Sequence, residues 1–170
     1  AQAAAAAAVL AGKPLAGIYS SPMLRARQTG QVILDRHPVL ETLRVSKYLN
    51  EVHTPYDGQP LADLAKIDWE FYNDVVPPYE TPEQIVERVR QFAQRILRQH
   101  PGEEVVAVTH GDIVCFTIAW AMRLSIDGEA KRQIAAGEPG YPATASITSF
   151  SFTDTDPQPA PDYHYIKPYA

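Results

Sequence analysis

Val105-Val106-Ala107-Val108-Thr109-His110-Gly111-Asp112 is the stretch on which the fold turns. Residues 105–109 are apolar without alternation, the pattern of a strand covered on both faces and flanked by ladder partners on both sides. Gly111-Asp112 then leads into a helix predicted over 113–124. Upstream, Thr81-Pro82-Glu83-Gln84 combines a cap, a first-turn proline and a glutamine three residues on, so a helix begins there. Ile85, Val86, Val89, Phe92, Ala93, Ile96 and Leu97 follow at helical spacing until Pro101-Gly102.

The same alternation extends toward the start of the chain. Ala3 to Leu10 reads as helix, stopped by Gly12 and Pro14, and Leu15 to Ser20 as a short strand. Ser21-Pro22 is expected to cap and open a helix running to about Arg36. Val45 to Leu49 suggests another short strand, followed by an irregular, aromatic-rich segment over 50–80. Ala145 to Phe152 and Tyr163 to Tyr169 read as a terminal strand pair joined by a Pro-rich loop. Strands alternating with helical patterns predict an α/β domain built around a mostly parallel sheet.

With 170 residues, one domain is expected, able to bury about 70% of the extended chain's surface. The net charge of −5, with no block of like charges, argues against nucleic acid and against a membrane as partners and for a small molecule. An anion would have to be held by a few focused cations. The single cysteine, Cys115, cannot form an internal disulfide, which makes the cytoplasm the default compartment. No basic residue precedes Ala3 to Leu10, so that run is helix rather than a signal peptide. A chain that opens inside a helix without capping residues suggests that a segment precedes it.

Two strand-to-helix junctions carry candidate chemistry, Ser20 to Arg25 and Val108 to Asp112. Ligands of open α/β sheets bind beyond the carboxyl ends of strands, so both can face one pocket. Arg25 falls in a first helical turn, where free N–H groups favour an anion and a guanidinium fork matches phosphate oxygens. His110 stands at a strand end, with Gly111 permitting close approach of a ligand or backbone.

These segments resemble the histidine phosphatase (phosphoglycerate mutase-like) superfamily. Ser21-Pro22-Met23-Leu24-Arg25-Ala26-Arg27-Gln28-Thr29 is similar to its phosphoryl-binding arginine motif. Val106-Ala107-Val108-Thr109-His110-Gly111 is similar to the motif of its second active-site histidine. Leu49-Asn50-Glu51, with Asp57-Gly58 following, resembles the segment bearing the acid, and Ala145-Ser146-Ile147-Thr148 resembles the closing strand. The similarity runs in order from about residue 2 to 152. It implies a three-layer α/β/α sandwich and a metal-independent, cofactor-free phosphomonoesterase working through a phosphohistidine. Its substrate would be a small phosphorylated compound and its product inorganic phosphate. The catalytic set would be Arg25, Glu51 and His110, and the phosphate-binding set Arg25, His110, Ser21 and Gly111.

The family's Arg-His-Gly does not occur in the sequence. Asp35-Arg36-His37-Pro38 is no substitute, since proline stands where glycine is needed. The resemblance therefore implies that the first strand, with the nucleophilic histidine, lies outside these 170 residues. Two alternatives stay open, an inactive relative that binds a phosphorylated ligand or partner, and a mutase-type phosphotransferase. The longer insertion of phosphoglycerate mutases after the equivalent of Glu51 is not seen, which favours hydrolysis.

Other residues read more plainly. Ser20 and Ser21 are expected as caps rather than nucleophiles, because no Gly-x-Ser-x-Gly elbow surrounds them. Cys115 reads as core and His53 as a solvated loop histidine. His37, His100 and His164 are too scattered for a metal site. Residues 52–80 form a segment that covers substrate or joins the core, and 153–170 a terminal strand and tail. The sequence leaves monomer and dimer equally open.

Overall fold

In the computed structural model, which describes residues 1–67, 69–138, 140–153, 157 and 160–170, the chain forms the expected α/β architecture. Three parallel strands, β1 (Leu15–Ser20), β2 (Leu43–Val45) and β3 (Glu104–Val108), lie in the order β2-β1-β3. Because side chains alternate along a strand, the adjacent Ile18 and Tyr19 of β1 face opposite ways. Ile18 packs with Ala7 and Leu10 of α1 (Gln2–Leu10) and Ile33 and Leu34 of α2 (Leu24–Leu34). Tyr19 packs with Phe92 and Ile96 of α4 (Pro82–Gln99) and with Leu49. One strand thereby organises three layers.

Helix α5 (Gly111–Ala121) is apolar all round because it is buried on several sides. Ile113, Phe116 and Trp120 meet Ile85 and Val86 of α4, while Cys115, Ile118 and Ala119 meet Ala130 and Ile134 of α6 (Gly128–Ala136). Phe116 and Ile113 are almost wholly buried, and side chains of this kind contribute about 1.5–3 kcal/mol each on removal from water. Strands β4 (Ile147–Ser151) and β5 (Asp162–Ile166) form a separate antiparallel pair.

Several expectations are corrected. β3 pairs with β1 alone among the described residues and Ala107 is exposed, so the second ladder partner expected for residues 105–109 is not among them. The apolar residues of β3 pack on both helical layers, Val106 and Val108 on one side and Val105 on the other. The helix after Ser21-Pro22 starts at Leu24, with Met23 at the cap position and no side-chain cap. Ser21 Oγ instead accepts from Met23 N–H at 3.3 Å and is buried, so the Ser-Pro pair forms a turn that precedes the helix. The strand expected over 45–49 lies at Leu43–Val45, and Lys47–Leu49 is a 3₁₀ turn. The 50–80 segment is not wholly irregular, since it includes the short helix α3 (Leu61–Lys66). Helix α6 was not expected, because Gly128 and Gly137 interrupt its pattern at both ends, although Asp127 caps it by accepting from Ala130 N–H at 2.9 Å.

Candidate active site

The carboxyl ends of all three parallel strands converge on one edge of the sheet, and cross-links hold their exits together. Ser21 N–H donates to Val108 O and Ser46 N–H to Ser20 O, each at 2.9 Å. Thr109 Oγ1 donates to Leu49 O at 2.8 Å. These bonds tie the turn before α2, the 3₁₀ turn before Glu51 and the junction before α5 into one frame. Arg88 of α4 adds a brace, donating to Tyr48 O at 2.7 Å and pairing with Glu80.

On this frame Arg25, Glu51, His110 and Ser21 come together. Arg25 Nη2 and His110 Nδ1 each lie 3.2 Å from the same oxygen, Glu51 Oε2. Arg25 donates a hydrogen bond to that oxygen, and the imidazole stands beside it. His110 Nε2 lies 2.8 Å from the buried Ser21 Oγ. The Ser21 hydroxyl also lies 3.4 Å from Asn50 Oδ1, to which it donates.

The electrostatics of the group follow from its burial. His110 is pushed down to about 4, first by desolvation and then by the charges of Arg25 and Arg88. At neutral pH the imidazole is therefore neutral. Glu51 is raised above the ordinary carboxylate range, chiefly by burial and further by the charge of Asp112. The Val52 N–H bond and Arg25 act against that rise.

Gly111 is close-packed, but not against backbone. A Cβ there would collide with the Tyr141 ring and hydroxyl, and that side chain would have to shift to admit it. That tyrosine belongs to a second cluster. Asp112, buried in the first turn of α5, accepts from Tyr72 Oη at 2.5 Å, Tyr141 Oη at 2.6 Å and Lys131 Nζ at 3.1 Å. Burial and the Asp112 charge raise both phenols well above their ordinary range, so they stay protonated donors. Asp112 stood in the quoted motif, and its place in a first helical turn was the available signal. Lys131 lies on the unforeseen α6.

A cleft of about 930 Å³ opens beside the group, reached through Glu51 and Asp112. Residues 52–80 divide between two tasks: Val52 and Tyr72 enter the core, whereas Tyr56, Trp69 and Phe71 line the cleft. His53 is exposed and pairs with Asp57. Cys115 is buried and unpaired, its thiol pushed up to about 12 by burial. Among the described residues, no cluster of three or more His, Cys, Asp or Glu side chains is arranged to hold a metal ion, and no helix is long and apolar enough to cross a membrane.

Comparison with known proteins places this geometry in context. Phosphoglycerate mutase-like protein 4 of Arabidopsis thaliana is 31% identical over 107 residues, which is 57% of this chain, and the chain spans just under half (46%) of that relative. A mycobacterial glucosyl-3-phosphoglycerate phosphatase superposes with a TM-score of 0.72 at 23% identity, covering 98% of this chain and 83% of the other. That phosphatase is known with VO3 and with inorganic phosphate. Bacillus stearothermophilus YhfR superposes with a TM-score of 0.71 at 20% identity, over 96% of this chain and 78% of its own. The sequence profile describing the histidine phosphatase superfamily (branch 1) matches residues 1–159, and the chain belongs to that superfamily.

Proposed function

We propose that the protein hydrolyses small phosphomonoesters through a phosphohistidine, without a metal, and releases inorganic phosphate. The observation that carries the reading is the convergence of Arg25 and His110 on one carboxylate oxygen, a seat for an anionic oxygen with a carboxyl group of raised pKa inside it. Phosphoryl transfer asks for this kind of arrangement, since catalysis rests on positioning and on stabilising charge at the equatorial oxygens. An incoming phosphoryl group displaces the Glu51 carboxyl from its place between Arg25 and His110 and takes over the Arg25 hydrogen bond. Its dianionic charge then favours protonation of His110, which turns a neutral donor into a cation where charge develops.

A histidine nitrogen attacks phosphorus and forms an N–P bond while the ester P–O bond breaks, and Glu51 gives its proton to the departing oxygen. The Glu51 carboxylate then takes a proton from water, whose oxygen attacks phosphorus and breaks the N–P bond. The nucleophile is assigned to an Arg-His-Gly strand outside these 170 residues. The outer edge of β3, which has no partner among the described residues, offers that strand a place beside His110. Ser21 and Gly111 act on this reading as supports, Ser21 by orienting the imidazole and Gly111 by admitting Tyr141. The unpaired, buried Cys115 agrees with a cytoplasmic setting.

Full-length protein incubated with a labelled phosphomonoester should acquire acid-labile, base-stable label. Arg25→Ala and His110→Ala should each lower turnover by about 10²-fold or more, the usual cost of losing one transition-state stabiliser. Undiminished rates in both variants would overturn the assignment. The absence of Arg-His-Gly from the sequence favours a second reading, an inactive relative that binds phosphorylated ligands. Saturable phosphate binding, lost in Arg25→Ala and without turnover, would establish it.

A further inference from the structure

The cleft beside Glu51 is built for one kind of leaving group. Its wall carries Tyr56, Trp69 and Phe71, with ring centroids 5.4 Å apart for Tyr56–Phe71 and 6.2 Å for Trp69–Phe71. Among the described residues of that wall, Lys131 and Arg132 are the cations, and each is already engaged. Lys131 Nζ pairs with Asp112 and lies over the Phe71 ring at 4.5 Å and the Tyr72 ring at 5.2 Å. Arg132 pairs with both Glu70 and Glu129, the latter at 2.7 Å. Glu51, Asp57, Glu70 and Asp112 also face the cleft, so carboxylates outnumber cations.

A second anionic group on the substrate would therefore meet no unengaged cation here, and would have to break an ion pair while facing carboxylates in a partly desolvated space. A flat, uncharged ring would instead gain apolar and aromatic contact. We infer that the cleft receives an uncharged aromatic alcohol moiety, making the substrates aromatic phosphomonoesters without a second anionic group. This rests on the phosphatase reading, with Glu51 as the hinge between phosphoryl seat and cleft.

The test compares 2-(1-naphthyl)ethyl phosphate, glycerol 3-phosphate and 3-phosphoglycerate on full-length protein. All three release an alkoxide oxygen, so differences in kcat/KM report the cleft rather than leaving-group reactivity. The naphthyl ester should exceed glycerol 3-phosphate by about 10-fold and 3-phosphoglycerate by about 10²-fold, the range an apolar pocket and an unmatched charge supply. Trp69→Ala should cut the naphthyl-to-glycerol ratio severalfold. Glu70→Gln, which frees part of Arg132, should raise the relative rate on 3-phosphoglycerate. A preference for 3-phosphoglycerate, or ratios unmoved in both variants, would overturn the inference while leaving the phosphatase reading intact. If no ester is turned over, the phosphatase reading fails, and calorimetric titration with 2-(1-naphthyl)ethanol and with glycerate still decides the cleft. Saturable binding of the alcohol alone supports it, and its absence refutes it.

Discussion

Four influences meet at the carboxyl group of Glu51, the acid of the proposed mechanism. Burial and Asp112 favour the protonated form, while Arg25 and the Val52 N–H favour the carboxylate. Burial is the largest of these, so the acid persists above the ordinary carboxylate range. An acid raised in this way is competent below its shifted pKa and loses its proton as pH rises through it, so hydrolysis of alkyl phosphates should fall along that limb. Glu51→Gln cannot donate such a proton. In kcat/KM, which reports transfer to the histidine and not the later hydrolysis in which Glu51 is the base, it should slow an alkyl phosphate by about 10²-fold and remove the limb, yet slow p-nitrophenyl phosphate far less, since nitrophenolate leaves unprotonated. Equal losses on both esters would move the acid role elsewhere. Arg25, Glu51 and His110 were legible in the sequence because each stands in a motif at a strand exit. Asp112, Tyr72, Tyr141 and Lys131 were not, because their meeting depends on where α6 and residues 52–80 dock, which no local pattern encodes.

Helix α4 shows how an element carries local signals through to the site. Its start was legible because the signal is wholly local: Thr81 Oγ1 accepts from Gln84 N–H at 3.4 Å and Gln84 Oε1 from Thr81 N–H at 2.9 Å, a reciprocal capping box. From the fourth residue of the helix its apolar stripe enters the core through Ile85 and Val86, and Arg88 reaches across to Tyr48 O on the turn before Glu51. Fraying of this first turn would loosen the core contact and the brace together. Thr81→Ala should therefore cost about 1 kcal/mol in urea unfolding, with Thr81→Ser close to wild type and the exposed Arg95→Ala near zero. Identical midpoints for Thr81→Ala and Thr81→Ser would show that the hydroxyl bond contributes nothing. The start of α2 was misread for the opposite reason, since a Ser-Pro pair is equally at home in the turn that the crowded strand exits demand.

At the scale of the whole molecule, the sheet determines which residues meet, and its order was the least legible feature. The apolar character of residues 105–109 indicates coverage above and below but says nothing about ladder partners, and among the described residues β1 is the one partner of β3. The edge makes a sharp expectation. Val108 O accepts from Ser21 N–H, and in a parallel ladder alternate residues of a strand address the same neighbour, so Val106 and Val108 face β1 while Val105 and Ala107 turn outward. A β3 with β1 as its sole partner should show slow hydrogen exchange at the amides of Val106 and Val108 and fast exchange at those of Val105 and Ala107. If the nucleophile arrives on a further strand at this edge, the full-length protein should instead protect all four amides to a similar degree, because an interior strand opens only with the core around it. Exchange at Val105 and Ala107 that stays fast in an enzymatically active full-length protein would show that no strand pairs there. The search for the nucleophile would then move to the histidines already in the sequence.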